Sequence, residues 1–585
     1  MERRALLALA LSFLVFLGFI YFGQAFHKRP APEVPAPEAP APSAAAPAVP
    51  APAAPVARPA PPPPPKAAPA RPAQAARPAR DIVVETPRFK AVFTESGGCL
   101  KSFQLKDYLE SLPFKPISSF KLGPVGFEMD RYQSPQQAGA KPKELVRAGK
   151  NQELPLSLAW EGKNLEVPAT LFYEASQPGL SLKPGEKGTL KFTGTSPQGL
   201  VVTKVFTFTG DAYSFDLAVQ LANHTGQPLE GQLSLGLSEN FADEEASRFH
   251  FLGFNGSINN RWEDIKSGSL VGSGKWFQRK PANPTPVTKT FSGKVDWAGL
   301  DEGYFLTAMV PAVPKAVVTL SEKPGSPMVA AVKTAVEALA PGQEGRFSYA
   351  LYFGPKDLRE LKPLGLERAV NFGWFDFLGK PLLYVMKFFK DYAFNYGWAI
   401  IILTVLLRIV FLYPNHKSYK SMKDMQKLQP KVAKIREKYK DDKEAMNKEL
   451  MALYRTFKVN PMAGCMPMLL QLPVFIALYN VLGYAIELRH ASFIPTLPFT
   501  DIVWLADLSA KDPLLITPLV MGATMFIQQK MTPSPGDPTQ AKMMMFLPLV
   551  FTFLFLNFAS GLVIYWLVNN VLSIAQQHYT NKYLT

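Results

Sequence analysis

Arg408 stands inside an apolar run, Gly397–Tyr413, five residues before its end, or about 7.5 Å along a helix at 1.5 Å per residue. An arginine buried in hydrocarbon costs ~2.5–3.5 kcal/mol on insertion scales and ~10–17 kcal/mol in simulations of isolated helices. It therefore needs water, an acidic guest, or a route to the headgroups. No Asp or Glu occurs in this run or in the four apolar runs that follow, 463–483, 514–529, 543–559 and 561–577. Neutral polar residues do occur there. Thr404 lies one turn deeper on the Arg408 face, Gln471 two turns into the next run, and Thr524, Gln528, Asn569, Ser573 and Gln576 toward one end of the third and last. If these runs cross a membrane, the polar side chains gather in the cytosolic halves and the opposite halves stay apolar. One water-filled cavity, open to the cytosol and closed on the far side, would accommodate them, whereas a pore would need polar residues at every depth. The chemistry on offer is solvation and charge attraction, with no bond made or broken. The competing reading is snorkelling, in which Arg408 lifts its guanidinium to the cytosolic headgroups and only anchors its helix.

Two further features bear on what such a cavity would handle. Met462, Met466, Met468, Met521, Met525 and Met543–Met545 cluster in the same runs. Thioethers fill ordinary bundle gaps, but they also suit a surface that accepts many unrelated apolar segments. Between the first two runs, 415–461 holds thirteen basic and six acidic residues. Ser418, Met422, Met425 and Leu428, then Val432, Ile435 and Tyr439 after Pro430, have helical spacing, as do Met446, Leu450, Leu453 and Phe457. The spacing predicts a helical hairpin over 415–460, with Asp441 and Glu444 spaced as a capping box at the second arm. Lysines cover its other faces, which fits either a solvated loop touching anionic lipid or a docking surface for a protein partner.

The elements that position these residues follow from hydropathy along the chain. Residues 1–26 carry Arg3 and Arg4 and then an apolar run from Ala5 to Phe22, read as an anchor helix in preference to a cleaved signal peptide. Residues 27–80 are mostly Pro and Ala, a tether that can extend roughly 150 Å at ~3.1 Å per residue. Residues 81–375 alternate with period two, as in Val202, Lys204, Phe206 and Phe208, Tyr213–Leu221, Leu233–Leu237 and Phe347–Phe353. Gly, Pro and Asn punctuate these runs, which predicts a large all-β sandwich. Residues 376–396 suit an amphipathic helix lying at a membrane surface, and 397–585 hold the five apolar runs. The expected architecture is thus a mixed one: a polytopic α-helical membrane bundle of five spans plus an N-terminal anchor, carrying an exported β domain. The basic 415–461 loop is assigned to the cytosol, and the acidic 484–513 loop and the β domain to the outside, with both termini cytosolic.

Composition closes off several function classes. The net charge of +16 resides mainly in the tether, with seven basic and two acidic residues in 28–80, and in the hairpin; the β domain is near neutral, so no face of it is expected to grip nucleic acid. Cys99 and Cys465 fall on different sides and read as unpaired thiols. Gly274-Lys275 is a poor phosphate loop, because Ser269 replaces its first glycine and Trp276 its Ser/Thr. No metal-ligand spacing or nucleophile–base pair is seen, so neither an enzyme nor a cofactor is expected. A secondary transporter would show an internal repeat and polar residues on both sides of the midplane. A scaffold would not need polar residues matched across several spans.

Several motifs carry a family resemblance. They are Val370-Asn371-Phe372-Gly373-Trp374, Arg408 followed by Tyr413-Pro414, Met425-Gln426-Lys427-Leu428-Gln429-Pro430-Lys431, Val459-Asn460-Pro461 with Gly464-Cys465, and Gln471-Leu472-Pro473. Glu487-Leu488-Arg489, Asp507-Leu508-Ser509, Met521-Gly522, Gln529-Lys530-Met531, and Ser560-Gly561-Leu562 with Tyr565-Trp566 continue the series in order. Over 370–580 the chain resembles the YidC/Oxa insertases, and its β domain and anchor resemble the Gram-negative layout in arrangement. Ala559 departs from the pattern, since many relatives have proline there, and the chain stops soon after Lys582 without a long basic tail. The resemblance implies a chaperone-like insertase that moves newly made proteins into the inner membrane through a hydrophilic groove open to cytosol and lipid. It implies Arg408 as the groove's central charge, with Thr404, Gln471, Gln528, Tyr565, Trp566 and Asn569 around it. It implies a docking role for hairpin residues Lys423, Lys427, Lys431, Lys434, Arg436 and Lys438. The partners it implies are nascent membrane proteins, the Sec translocon, the ribosome and signal recognition pathway, and anionic lipids.

Overall fold

The computed structural model describes residues 78–585 apart from 123–124, 133–138, 148–151, 242–250, 272–287, 314, 324–325, 458, 460–465, 533–537 and 584–585. The expected anchor helix at 1–26, the tether up to residue 77, Cys465 and the Gly274-Lys275 pair lie outside the described residues.

The period-two stretches form strands as expected, but in three main sheets. A nine-stranded sheet is centred on Leu200–Thr209, Ser214–Asn223, Glu344–Pro355 and Phe305–Pro311. A six-stranded sheet carries Leu229–Glu239 beside Met328–Leu339. A five-stranded sheet built on Asp81–Glu85, Phe89–Thr94 and Cys99–Leu109 covers part of the first. Its pairing is not wholly antiparallel, because Asp81–Glu85 runs parallel to Gly179–Ser181. The contact between sheets is aromatic. Phe103 lies 5.2 Å from Phe353, and Phe93 4.9 Å from Phe206, ring centre to ring centre. Each such fully buried phenylalanine contributes about 1.5–3 kcal/mol of apolar burial.

Lys204 breaks the apolar rhythm yet points inward and is completely buried. Its ammonium donates to the carbonyls of Gly97, Gly98 and Leu156 at 2.8–3.2 Å and lies 5.0 Å from the centre of the Tyr173 ring. Burial pulls its pKa down to about 8. The lysine thus takes the place of a missing strand partner for three turn carbonyls.

The helical part begins with α1, Asp376–Tyr392, which presents two apolar faces. Leu382, Leu383 and Met386 are buried, while Phe377, Tyr384, Phe388 and Tyr392 are exposed. Lys387 is not part of a solvated face: its ammonium is held between Glu487 at 2.6 Å and Asp357 at 3.2 Å. α2, Tyr396–Val410, and α3, Leu412–Lys427, are bent by 61° at Phe411, and α4 is Gln429–Lys438. The first hairpin arm breaks at Leu428, which leaves Pro430 in the first turn of α4, where its missing N–H costs nothing. α5, Lys443–Thr456, is capped by Asp442 and not by Asp441, because the Asp442 carboxylate reaches the amides of Glu444 and Ala445 at 3.1 and 3.0 Å. α6 is Met466–Tyr484, α7 Ile516–Met531, α8 Pro538–Phe555 and α9 Ser560–Tyr583. Among the described residues no single helix is long and apolar enough to cross a membrane, and only the bent α2–α3 pair passes by length and composition. Ala559 does not loosen the α8–α9 turn: Ser560 and Gly561 donate their amides to Ala510 and Leu508, and the Ser560 hydroxyl donates to Asp507 O.

Candidate functional site

Arg408 falls in the last turn of α2, immediately before the bend. Apolar periodicity buries Ala399, Ile400 and Leu403 on the inner side of this helix and leaves Ile409 and Val410 outward. The bend at Phe411 then folds the start of α3 back beside Arg408. Here Nη2 donates to Gln576 Oε1 of α9 at 2.7 Å and to the Tyr419 hydroxyl of α3 at 3.5 Å, while Nε is buried without a hydrogen-bond partner. Both partners are neutral, and no ion pair joins the guanidinium to a carboxylate among the described residues. Gln576 in turn donates to Leu412 O at the bend.

Beside this cation is a recess lined by Leu407, Arg408, Phe411, Asn415, Gln471, Tyr565 and Asn569. Gln471 of α6 donates to the Tyr565 hydroxyl of α9 at 3.0 Å, which fixes the recess floor across two helices. The structure thus brings Arg408, Gln471, Tyr565 and Asn569 together. Three other residues expected beside Arg408 lie outside this lining. Thr404 is buried and donates its hydroxyl to Ile400 O. Trp566 packs among Phe475, Phe551 and Phe555, with centroid separations of 4.9, 6.0 and 5.2 Å. Gln528 is on α7, where its carbonyl accepts from the Thr532 hydroxyl. α7 has its own polar seam with α9, in which Asn570 donates to Thr524 and Gln577 to Met531 O. Sequence reasoning missed Asn415 and Tyr419. They lie seven and eleven residues after Arg408, too far along a straight helix to meet it, and only the 61° bend at Phe411 folds them back beside it, which no sequence signal announced.

The basic hairpin sits directly after this bend. Met422, Leu428 and Val432 are buried along its inner side. Lys427, Lys431, Lys434 and Lys438 are exposed, and Lys423 and Arg436 half-buried. Lys431 lies 4.0 Å from the centre of the Phe457 ring, and Lys427 pairs with Asp424 at 3.3 Å.

At the opposite end, the loop after α6 is fastened to the β domain. Arg489 Nη2 donates to Leu109 O at 2.8 Å and Glu110 O at 3.0 Å, and its guanidinium lies 5.2 Å from the centre of the Phe305 ring. The Tyr304 hydroxyl donates to Gly483 O at 2.9 Å. Burial lowers the Arg489 pKa, and burial together with the neighbouring Arg489 charge holds His490 down to about 4. No group of three or more His, Cys, Asp or Glu is placed to hold a metal among the described residues.

Comparison with known proteins gives a consistent likeness. Residues 388–585 match the family described as the 60Kd inner membrane protein, and residues 125–385 match the YidC periplasmic domain. The membrane protein insertase YidC of Syntrophus aciditrophicus (strain SB) is 42% identical over 508 residues, covering 86% of this chain and 85% of its own length. That of Nitratidesulfovibrio vulgaris (strain DP4) is 41% identical over 579 residues, 98% of each chain. A solved structure described as an active YidC insertase with its first transmembrane domain resolved covers 86% of this chain and 94% of its own, at 19% identity and a TM-score of 0.34.

Proposed function

The chain belongs to the YidC family of membrane protein insertases, and on that premise we propose how its residues carry out insertion. It is an insertase of the inner membrane with a periplasmic domain, not an enzyme, and its substrates are newly made membrane proteins. In our reading α2, α6, α7, α8 and α9 are five spans, the 415–460 hairpin and both termini are cytosolic, and the recess beside Arg408 is part of a hydrophilic groove open to cytosol and lipid.

The observation that carries this reading is the Arg408 guanidinium, held by Gln576 and Tyr419 with no carboxylate beside it. A cation kept at that depth with only neutral partners attracts an acidic group that arrives from outside. The hydrophilic flank of a nascent segment enters the groove, where Arg408, Asn415, Gln471, Tyr565 and Asn569 replace water as its partners. This shortens the path of the polar flank through hydrocarbon. The apolar segment moves along the exposed faces of α6 and α8 into lipid, where Leu469, Leu470, Met545, Phe546, Leu549 and Phe553 present apolar surface. Burial of its own apolar area drives it, at about 25 cal/mol per Å². Thr404, Trp566 and Gln528 act one layer away in this scheme, by packing the helices that carry the groove.

The hairpin lysines Lys423, Lys427, Lys431, Lys434 and Lys438, with Arg436, form a basic surface near the groove's mouth. It suits docking of a ribosome or targeting factor and contact with anionic lipid, and a Sec translocon is a further partner on the family pattern. Reconstitution of the purified chain in liposomes with a single-span substrate, read by protease protection, tests the proposal. Protection of the translocated flank without added nucleotide is expected, and its absence in correctly oriented protein would rule out autonomous insertion.

A further inference from the structure

Phe499 is fully exposed, at 107% of its reference area, and its φ is +65°. An exposed apolar side chain alone is ordinary. The left-handed backbone is not: a bulky residue is strained there and keeps it only where surrounding bonds impose it. Those bonds are present. Phe499 is at the tip of a short hairpin, Ile494–Thr496 paired with Val503–Leu505. The Leu497 amide donates to Ile502 O at 2.8 Å, and the Thr500 amide and hydroxyl both donate to Leu497 O. The turn is closed twice, and the result is a phenylalanine held outward behind Pro498.

The root of this hairpin is pinned to the periplasmic end of α2. Asn395 caps α2 through Trp398 N and donates from its other amide atom to Phe493 O at 2.9 Å. The Phe493 ring meets Trp398 edge-on at 6.0 Å. It also occupies the space over Gly397, where a Cβ would come within 2.1 Å of the ring. Trp398, Phe394 and Tyr392 beside this root are all exposed, at 45%, 95% and 78%. Aromatic side chains in that position at the end of a span sit at headgroup level. Three-residue strands rise only about 10 Å at ~3.3 Å per residue, so the tip stays close to that level.

We propose that the Pro498-Phe499 tip is a membrane-contact site that sits in the headgroup region of the periplasmic leaflet, with phospholipid as its partner. The partner is lipid because the tip continues the exposed aromatic set at the end of α2. Asp501, exposed just behind the tip, limits the insertion to a shallow one. The hairpin thereby adds a second foothold to that of α1 and steadies the loop that joins α6 to α7. The inference rests on the membrane setting of the insertase family but not on the groove mechanism.

The test uses the full chain in liposomes, with Cys99→Ser and Cys465→Ser, and an environment-sensitive fluorophore on Phe499→Cys. Blue-shifted emission, quenched by lipids labelled at the headgroup more than by lipids labelled at the chain end, is expected. Water-like emission would overturn the proposal. A blue shift without lipid quenching would also overturn it, since the tip would then be buried against protein. Two control sites separate this failure from failure of the insertase reading. Leu549→Cys should be quenched by chain-labelled lipid if α8 is embedded, and Lys163→Cys should stay water-like.

Discussion

At the scale of single residues, Arg408, half-buried, and Lys204, fully buried, are two cations with opposite arrangements of partners. Lys204 is saturated by three carbonyls inside the β domain, so its role ends with the fold. Arg408 has only neutral partners, so its charge is left without a carboxylate among the described residues. If it attracts acidic flanks, Arg408→Lys should be tolerated. Arg408→Ala should slow insertion of a substrate with an acidic flank more than one with a neutral flank, and Arg408→Glu should be worst for the acidic one. Coulomb attraction at 4 Å is about 4 kcal/mol at an effective dielectric near 20, an upper guide before water competes. Initial rates for two substrates differing only in flank charge decide the matter. Equal losses would mean that Arg408 merely anchors its helix. For Lys204 the prediction is a pH slope. The unfolded chain keeps this proton to about 10.5 and the folded domain releases it near 8, so between those values the unfolded state binds more protons and stability rises with pH. Below pH 8 the group contributes no slope. Thermal unfolding of the full chain across pH 8–10.5 should show the rise, and Lys204→Met should remove it.

Among the elements, periodicity was a good guide to faces and a poor one to breaks. Met422, Leu428 and Val432 were readable as one side of the hairpin, and all three are buried. The break itself fell at Leu428 and the cap at Asp442, because both depend on which carboxylate or carbonyl reaches an amide, a matter of one residue that a 3.6-residue repeat does not resolve. The α2–α3 bend at Phe411 was likewise invisible, since apolar residues run straight through it. That bend is what brings Asn415 and Tyr419 to Arg408. The hairpin also supplies a test of orientation. Cysteine at Asp501 or Lys163 should react with impermeant reagents from the periplasmic side, and cysteine at Lys440 should not. Labelling of Lys440 from outside would overturn a cytosolic hairpin. Removing 420–455 should abolish or strongly reduce insertion at matched protein levels, because the arm that seats Tyr419 against Arg408 is lost with it.

On the scale of the whole molecule, the sequence suggested a β domain hung on a long tether, and the structure adds a second attachment. Arg489 was visible in a family motif, but its partners Leu109 O and Glu110 O lie about 380 residues away and are backbone atoms, which no side-chain pattern reports. Lys387 is likewise held by partners distant in the chain, Asp357 from the β domain's exit and Glu487 from the loop after α6. The proposed groove is at the other end of the helices, so most of 90–340 should still be removable with insertion preserved. The cost should appear in stability and should travel through Arg489. Arg489→Ala in the full chain removes the charged donor from the part-buried Leu109 O and the exposed Glu110 O and uncovers Phe305, a loss of about 2 kcal/mol by the worth of hydrogen bonds from a charged group. Arg489→Lys should recover only part of this, because an ammonium cannot keep both the fork and the ring contact. In a chain lacking 90–340, Arg489 faces water and has neither partner, so the same alanine substitution should be close to silent. The difference between the two losses, measured by thermal unfolding in detergent, is the coupling between domain and core. Equal losses in both backgrounds would show that Arg489 acts within its own loop and that the β domain is held by its chain connection alone.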